Sequence, residues 1–134
     1  IKEKQQQSST PMRLQAYERL SLFCERISIP NLVLRLQNGE MNAAEFQITL
    51  LLAIQQEYEH NITQQVYVSD QLWEIIKMAK DDAVNFVSLV AESVEPKAKA
   101  SALSNALLEY LNKRPLSGQD HALIAIKKEA SLLF

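Results

Sequence analysis

The segment Glu57-Tyr-Glu-His60 has Glu-x-x-His spacing, which puts a carboxylate and an imidazole on one helix face. Carboxylate-bridged di-iron bundles use this pair, but they also need a second Glu-x-x-His and two further glutamates on facing helices. The other histidine of the chain, His121, has Gly118 three positions before it. The sequence therefore predicts no metal site, because the ligand set is too small.

Polar side chains follow this segment at spacings of three and four residues, which would align them along one face of a helix. We call this set the polar stripe: Glu57, His60, Asn61, Gln64 and Gln65. Amides, an imidazole and a carboxylate in a row could bind a ligand or the backbone of a partner protein. They could equally form a solvated face, or hydrogen-bond to the chain near Ser69. Both interpretations stay open on the residues alone.

Aromatic residues accompany the polar stripe, namely Tyr58, Tyr67 and Trp73. Together they could line a pocket in which the amides orient a small molecule. The candidate interaction or ligand surface therefore consists of the polar stripe with Tyr67 and Trp73.

The remaining reactive groups predict no catalysis. Cys24, the one cysteine, lies on an apolar helix face, which indicates a buried and inert thiol. Asp81 and Asp82 are neighbours on a helix and diverge by about 100°, so they cannot flank one bond. Two glycines cannot supply the loops that hold phosphates or nucleotides. We expect no catalytic residue, no cofactor and no metal.

Length and charge indicate one domain without a nucleic-acid partner. The chain has 134 residues, of which 47% are apolar, enough for a single core that we place at 11–134. Lys and Arg number 14 against 16 for Asp and Glu, so little basic charge is available to neutralise phosphates. The longest stretch without these residues, 46–56, is shorter than the ~20 residues that span a bilayer.

Hydrophobic periodicity predicts helices along the first third of the chain. Residues 1–10 hold one apolar residue and suit a linker or a frayed helix. Helix 1 is expected over about 11–28. Pro30 in the first turn and Gly39 as a left-handed C-terminal cap would bound a short helix. A strand over 32–36 is the alternative, but no second strand-like run could pair with it.

The second long helix has the clearest start, with Asn42 as N-cap and Glu45 three residues on. It is expected to continue to Val66, about 25 residues. Apolar residues surround its middle from Ile48 to Ile54, which predicts the central helix of the fold.

Three further helices complete the prediction. Ser69 caps the first of them, which Pro96 ends. A repeat of three and four residues predicts a buried row along this helix: Leu72, Ile76, Ala79, Ala83, Phe86, Val90 and Val94. The next covers about 99–113, and Ser117 with Asp120 caps the last. The sequence therefore predicts an all-α fold, a compact helical bundle of about five helices with one additional short helix.

Two segments carry a resemblance to a known family. The first is Pro11-Met-Arg-Leu-Gln-Ala-Tyr-Glu-Arg-Leu through Glu25-Arg-Ile, and the second is Glu57-x-x-His-Asn-x-x-Gln-Gln-x-Tyr-Val-Ser69 with Trp73 and Ala79-Lys80. They resemble an uncharacterised family of Bacteroidetes proteins, in which one N-terminal membrane helix precedes an α-helical soluble domain. The resemblance covers about residues 11–80 and implies a domain of unknown function.

The same resemblance implies a topology. A membrane anchor would precede residue 1, and residues 1–10 would be the juxtamembrane segment. Lys2, Lys4 and Arg13 beside such an anchor favour the cytoplasmic face by the positive-inside rule. We therefore expect a domain tethered to the inner membrane and facing the cytoplasm.

The function expected from these observations is a non-catalytic domain that binds another protein or itself through the polar stripe. The alternative is a helical bundle that binds a small molecule. A metal-dependent enzyme is the third hypothesis.

Overall fold

Helices make up nearly the whole chain in the computed structural model, which describes the backbone of residues 2–133 and the side chains of residues 10–133. The elements are α1 (Lys2–Arg26), α2 (Ile29–Leu36), α3 (Ala43–Asn61), a 3₁₀ helix (Ile62–Tyr67), α4 (Asp70–Ala91), α5 (Ala100–Asn112) and α6 (Gly118–Ser131). Within this described part no strand forms, and an isolated bridge joins Asn42 to Lys99. The predicted all-α bundle is confirmed.

The first helix, α1, is longer than predicted, because it begins at Lys2 rather than near residue 11. Apolar periodicity reports which side of a helix is buried, whereas Lys, Glu and Gln favour helices without an apolar side. The segment 2–9 is rich in these three residue types and has no such periodicity. Of the predicted lead-in 1–10, residue 1 lies outside the described residues.

The connection after α2 differs from the prediction at Gly39. Pro30 lies in the first turn of α2 as expected, but the helix ends at Leu36. Gln37 is extended, with φ −64° and ψ 132°, and its N–H donates to the carbonyl of Val33. Neither glycine of the chain has a positive φ. The predicted left-handed cap at Gly39 is therefore wrong, because Gln37 has already turned the chain.

The third helix, α3, begins as predicted and ends early. Asn42 Oδ1 accepts from the N–H of Glu45 at 2.8 Å, and Glu45 Oε1 accepts from the N–H of Asn42 at 3.0 Å. The helix contacts α1, α2, α4 and α5. Ile48 and Leu52 nevertheless stay 59% and 57% exposed, so the predicted burial on nearly all sides is wrong here.

The fourth helix, α4, supplies the longest row of core residues. Ser69 caps it by accepting from the N–H of Leu72 at 3.0 Å. The predicted row is buried over Leu72, Ile76, Ala79, Ala83, Phe86 and Val90. Its last predicted member, Val94, is half-buried and lies beyond α4, because the helix ends at Ala91 and not at Pro96. Next, α5 and α6 run one after the other in the opposite direction to α4, and they meet beside Asp82. The predicted capping box of Ser117 with Asp120 starts α6.

Between residues 2 and 133, no helix has the length and the apolar character that crossing a bilayer requires.

Candidate functional site

The polar stripe does not form one continuous face. Because the helix changes to 3₁₀ geometry at Ile62, Asn61 and Gln64 turn inward and are both 7% exposed, whereas His60 and Gln65 stay exposed. Asn61 Nδ2 donates to the carbonyl of Glu57 at 2.8 Å. Its amide therefore bonds within α3 and closes the end of that helix, rather than bonding to the chain near Ser69.

Glu57 connects three helices. Its Oε1 accepts from Arg26 Nε of α1 at 2.6 Å and lies 3.9 Å from Arg35 Nη2 of α2. The Glu57 side chain is only 15% exposed. A partly buried carboxylate with two guanidinium neighbours is strongly held in place, so this residue serves the fold.

A cavity of about 470 Å³ between α1 and α3 brings three of the seven predicted residues together. Glu57, His60 and Asn61 contribute to its lining. Arg19 closes one side, where its Nη2 donates to the carbonyl of His60 at 3.0 Å. Gln64, Gln65, Tyr67 and Trp73 do not line this cavity.

Two of the three predicted aromatic residues, Tyr58 and Trp73, pack on each other rather than around an opening. The rings of Tyr58 and Trp73 are stacked at 5.6 Å between centroids, and Phe23 lies 6.4 Å from Tyr58. Lys80 Nζ lies 4.8 Å from the centroid of the Tyr58 ring. Trp73 is buried and Tyr67 is half-buried. These rings stabilise the junction of α1, α3 and α4.

Groups for metal binding or nucleophilic chemistry do not converge in the described part of the chain. It holds no group of three His, Cys, Asp or Glu side chains that could bind a metal ion. Cys24 is fully buried, and this burial raises the pKa of its thiol to about 12. The thiol is therefore protonated at neutral pH.

Two neighbouring depressions of about 670 and 660 Å³ follow the outer side of α4, one against α5 and one against α6. We call them together the α4 groove. The apolar lining of the first is Phe86, Leu89, Val90 and Tyr110, and that of the second is Ile75, Met78, Leu116, Ile124 and Ala125. Both depressions share Asp82 and Arg114, which form a polar saddle between them.

The saddle is an ion pair built on a close helix contact. Arg114 Nη2 donates to Asp82 Oδ1 at 2.8 Å, and the N–H of Gly118 donates to Asp82 Oδ2 at 3.0 Å. Burial raises the pKa of Asp82, but the hydrogen bonds from Arg114 and Gly118 outweigh it, so the pKa lies below 3.8. Asp82 is therefore an anion at neutral pH, and it holds the loop between α5 and α6 against α4.

Sequence reasoning missed the α4 groove. Its most exposed apolar side chains are Met78 and Leu89, at 65% and 67%. Both lie outside the predicted buried row, eleven positions apart, and eleven residues return to nearly the same helix face. Two apolar residues on the supposed solvent side of α4 were the signal that could have indicated this surface.

Comparison with known proteins identifies a family for this chain but gives no activity for that family. A family model described as a family of unknown function (DUF7935) matches residues 1–133. No curated protein and no solved structure matches the chain.

Proposed function

The chain belongs to this family of unknown function, and we propose that it is a non-catalytic domain that binds another polypeptide through the α4 groove. The observation that carries the proposal is the apolar surface that α4, α5 and α6 leave uncovered around Asp82 and Arg114.

Contiguous apolar surface supports this function because burying it in a partner removes it from water. Met78, Leu89, Leu116 and Ile124 are each about half exposed or more. Isolated exposed apolar residues are common on proteins, but these four line adjoining depressions. Within each depression apolar side chains are bordered by polar ones, which is the usual anatomy of a protein interface, and the saddle separates the two depressions.

The experiment that tests this function is photo-crosslinking in cells that express the full-length protein. A photoreactive amino acid replaces Leu89 in one variant and Leu52 in a control variant. Leu52 is the matched control, because it is 57% exposed on α3 and lies outside the groove. We expect a covalent adduct with a protein at position 89 and none of the same mass at position 52.

A second change at the far end of the groove makes this test specific. Met78→Asp places a charge in the apolar surface that the partner would cover, so it should remove the adduct formed at position 89. Absence of any protein adduct at position 89, or the same adduct at position 52, would contradict the proposed function.

Small-molecule binding is a second candidate, favoured by the cavity between α1 and α3. Its volume of about 470 Å³ lies within the range of ligand pockets, and it joins Glu57, His60 and Asn61. Native mass spectrometry of the gently purified protein tests it. His60→Ala is the suitable variant, because the hydrogen bond that His60 accepts from Arg19 is made by its backbone. A discrete excess mass that His60→Ala removes would support this candidate, and a mass of polypeptide alone would contradict it.

The membrane tether implied by the family resemblance belongs to the proposal as well. A tether at the N-terminal side, with Lys2, Lys4 and Arg13 close to it, would place the domain on the cytoplasmic face. Fractionation of the full-length protein tests this. We expect it in the membrane fraction after an alkaline carbonate wash, with the domain digested by protease only once the inner membrane is opened. If the protein is recovered in the carbonate wash instead, the membrane tether is refuted, and the proposal that the α4 groove binds a polypeptide still stands.

A further inference from the structure

The α4 groove has the length and the spacing of a single bound helix. It follows α4 from Ile75 to Val90, about 22 Å at 1.5 Å per residue, and reaches Ser93 just beyond the end of the helix. Leu89 lines the first apolar depression and Met78 lines the second. A helix lying alongside would present two apolar side chains about eleven residues apart on one face, one for each depression.

The saddle between the depressions determines which residue types the bound helix can have between its two apolar side chains. Asp82 and Arg114 bond to each other there, and the exposed side chain of Asn85 lines the first depression beside them. An apolar side chain over this point would desolvate polar groups without replacing their hydrogen bonds to water. The occupant therefore carries polar residues four and seven positions after its first apolar anchor.

The two ends of the groove carry opposite charges. Glu92 lines the first depression and Lys128 the second, and among the described residues neither belongs to an ion pair. Lys113 lines the same depression as Glu92, but its Nζ lies 3.8 Å from Glu109 Oε1, so its charge is partly offset. The N-terminal end of a helix is partly positive and its C-terminal end partly negative. A bound helix is thus favoured with its N-terminal end at Glu92.

A second copy of this chain fits the groove poorly. A two-fold contact would bring the same surface of both copies together, so that depression faces depression. Two concave surfaces that face each other would leave empty space between the copies, whereas stable interfaces are closely packed. A convex occupant, such as a helix, fills them.

We infer that the α4 groove binds an amphipathic helix of a partner protein, antiparallel to α4, with two apolar anchors about eleven residues apart and its N-terminal end at Glu92. This inference rests on the proposed function and specifies the partner.

Synthetic helical peptides of about 18 residues are the probes that test it. The first peptide has two leucines about eleven positions apart with glutamines between them on the same face, and the control has the second leucine moved to the opposite face. We expect fluorescence anisotropy to show about tenfold tighter binding of the first peptide. Leu89→Asp should weaken binding about tenfold, and Leu52→Asp should change it by less than about twofold. Equal binding of the two peptides, or no binding of either, would overturn the inference.

Disulfide trapping tests the direction. The first peptide carries a cysteine at its N-terminal end, and Ser93→Cys and Ser131→Cys provide one new thiol near each end of the groove. Both serines are exposed and donate to a backbone carbonyl three residues back, but Ser93 lines the groove and Ser131 lies one turn beyond Lys128. The same peptide with its cysteine at the C-terminal end is therefore the control, and it should reverse the preference. We expect preferential trapping by Ser93→Cys. Equal trapping, or preference for Ser131→Cys, would overturn the antiparallel arrangement that the inference states.

The crosslinking experiment in cells separates this inference from the proposed function. An adduct at position 89 with another protein, followed by failure of the peptides, refutes the helix and leaves the binding function standing. An adduct with a second copy of the chain would likewise refute the partner helix and leave the binding function standing. Absence of any protein adduct refutes both.

Discussion

The hydroxyl of Tyr17 in α1 donates a hydrogen bond of 2.9 Å to Glu129 Oε2 in α6, across 112 positions of sequence. The same carboxylate accepts from the backbone N–H of Ser69 at 3.1 Å and from the Ser69 hydroxyl. Arg13 Nη2 in turn donates to the Tyr17 hydroxyl at 3.2 Å. One side chain near the end of the chain thus joins α1, the start of α4 and α6.

Glu129→Gln should destabilise the fold, because an amide cannot accept from all three of these donors as a carboxylate does. Hydrogen bonds to a charged acceptor contribute about 1.5 to 3 kcal/mol, and we expect a loss in this range. Urea unfolding followed by circular dichroism measures it as a lower midpoint at unchanged slope. Glu18→Gln, an exposed carboxylate on α1, is the control. Equal midpoints for the two variants would contradict the role of Glu129.

Asp82→Asn should lower stability at neutral pH and should matter less in acid. The pKa of Asp82 is lower in the folded chain than the 3.8 usual for an aspartate, because the hydrogen bonds from Arg114 and Gly118 outweigh the effect of burial. A group whose folded pKa is depressed contributes stability that is present above its unfolded pKa and is lost as the pH falls through the folded one. The difference from wild type should therefore shrink below about pH 3.8.

The neighbouring residue supplies the control for Asp82. Asp81 is exposed and contacts Lys80 at 2.9 Å, an ion pair of the kind that contributes little. Unfolding free energies from pH 2 to 7 are the measurement. If Asp81→Asn and Asp82→Asn followed the same curve, the saddle would have no special role in stability.

Gly118→Ala should destabilise the protein, whereas Gly39→Ala should not. A Cβ at Gly118 would lie 2.9 Å from Asp82 Cβ and 3.1 Å from Ala79 Cα, so α6 would have to move away from α4. Such overpacking costs about 1 to 3 kcal/mol. A Cβ at Gly39 has nothing within 4 Å, and no positive φ opposes alanine there.

The thermal midpoints of the two glycine variants give the comparison. Alanine at Gly39 should leave the midpoint unchanged or raise it slightly, since it restricts the unfolded chain. A Gly118→Ala variant as stable as Gly39→Ala would show that the close approach of α6 to α4 is not needed.

Cys24 should react with iodoacetamide only when the fold opens. The thiolate is the reactive form, and burial raises the pKa of this thiol to about 12. We expect negligible labelling at pH 7.5 without denaturant and labelling across the same urea range in which the helical signal is lost. Rapid labelling of the native protein would show that α1 opens locally without global unfolding.

The helices could be predicted from sequence where their signals lie within a few residues. The capping boxes at Asn42 and Ser117 each involve side chains three positions apart, and both are present. The buried row of α4 follows from periodicity alone. The start of α1 could not be located from sequence, because its first residues carry helix propensity without an apolar face and suited either a linker or a frayed helix.

The candidate site could be predicted only in part. Glu57, His60 and Asn61 do line one cavity. The polar stripe does not continue along one helix face past Ile62, because the chain changes there to 3₁₀ geometry. The direction in which Gln64 points depends on that change, which no spacing rule signals.

The helical class, the three N-caps at Asn42, Ser69 and Ser117, and the side of α4 that faces the core could be read from local spacing, because they depend on interactions between residues within two turns. Tertiary structure alone decided that Glu129 meets Tyr17, that Asp82 meets Arg114, and that Met78 and Leu89 border an open groove. Contacts between residues far apart in sequence, and the exposure of an apolar side chain, depend on where every other helix packs, and local spacing does not contain that information.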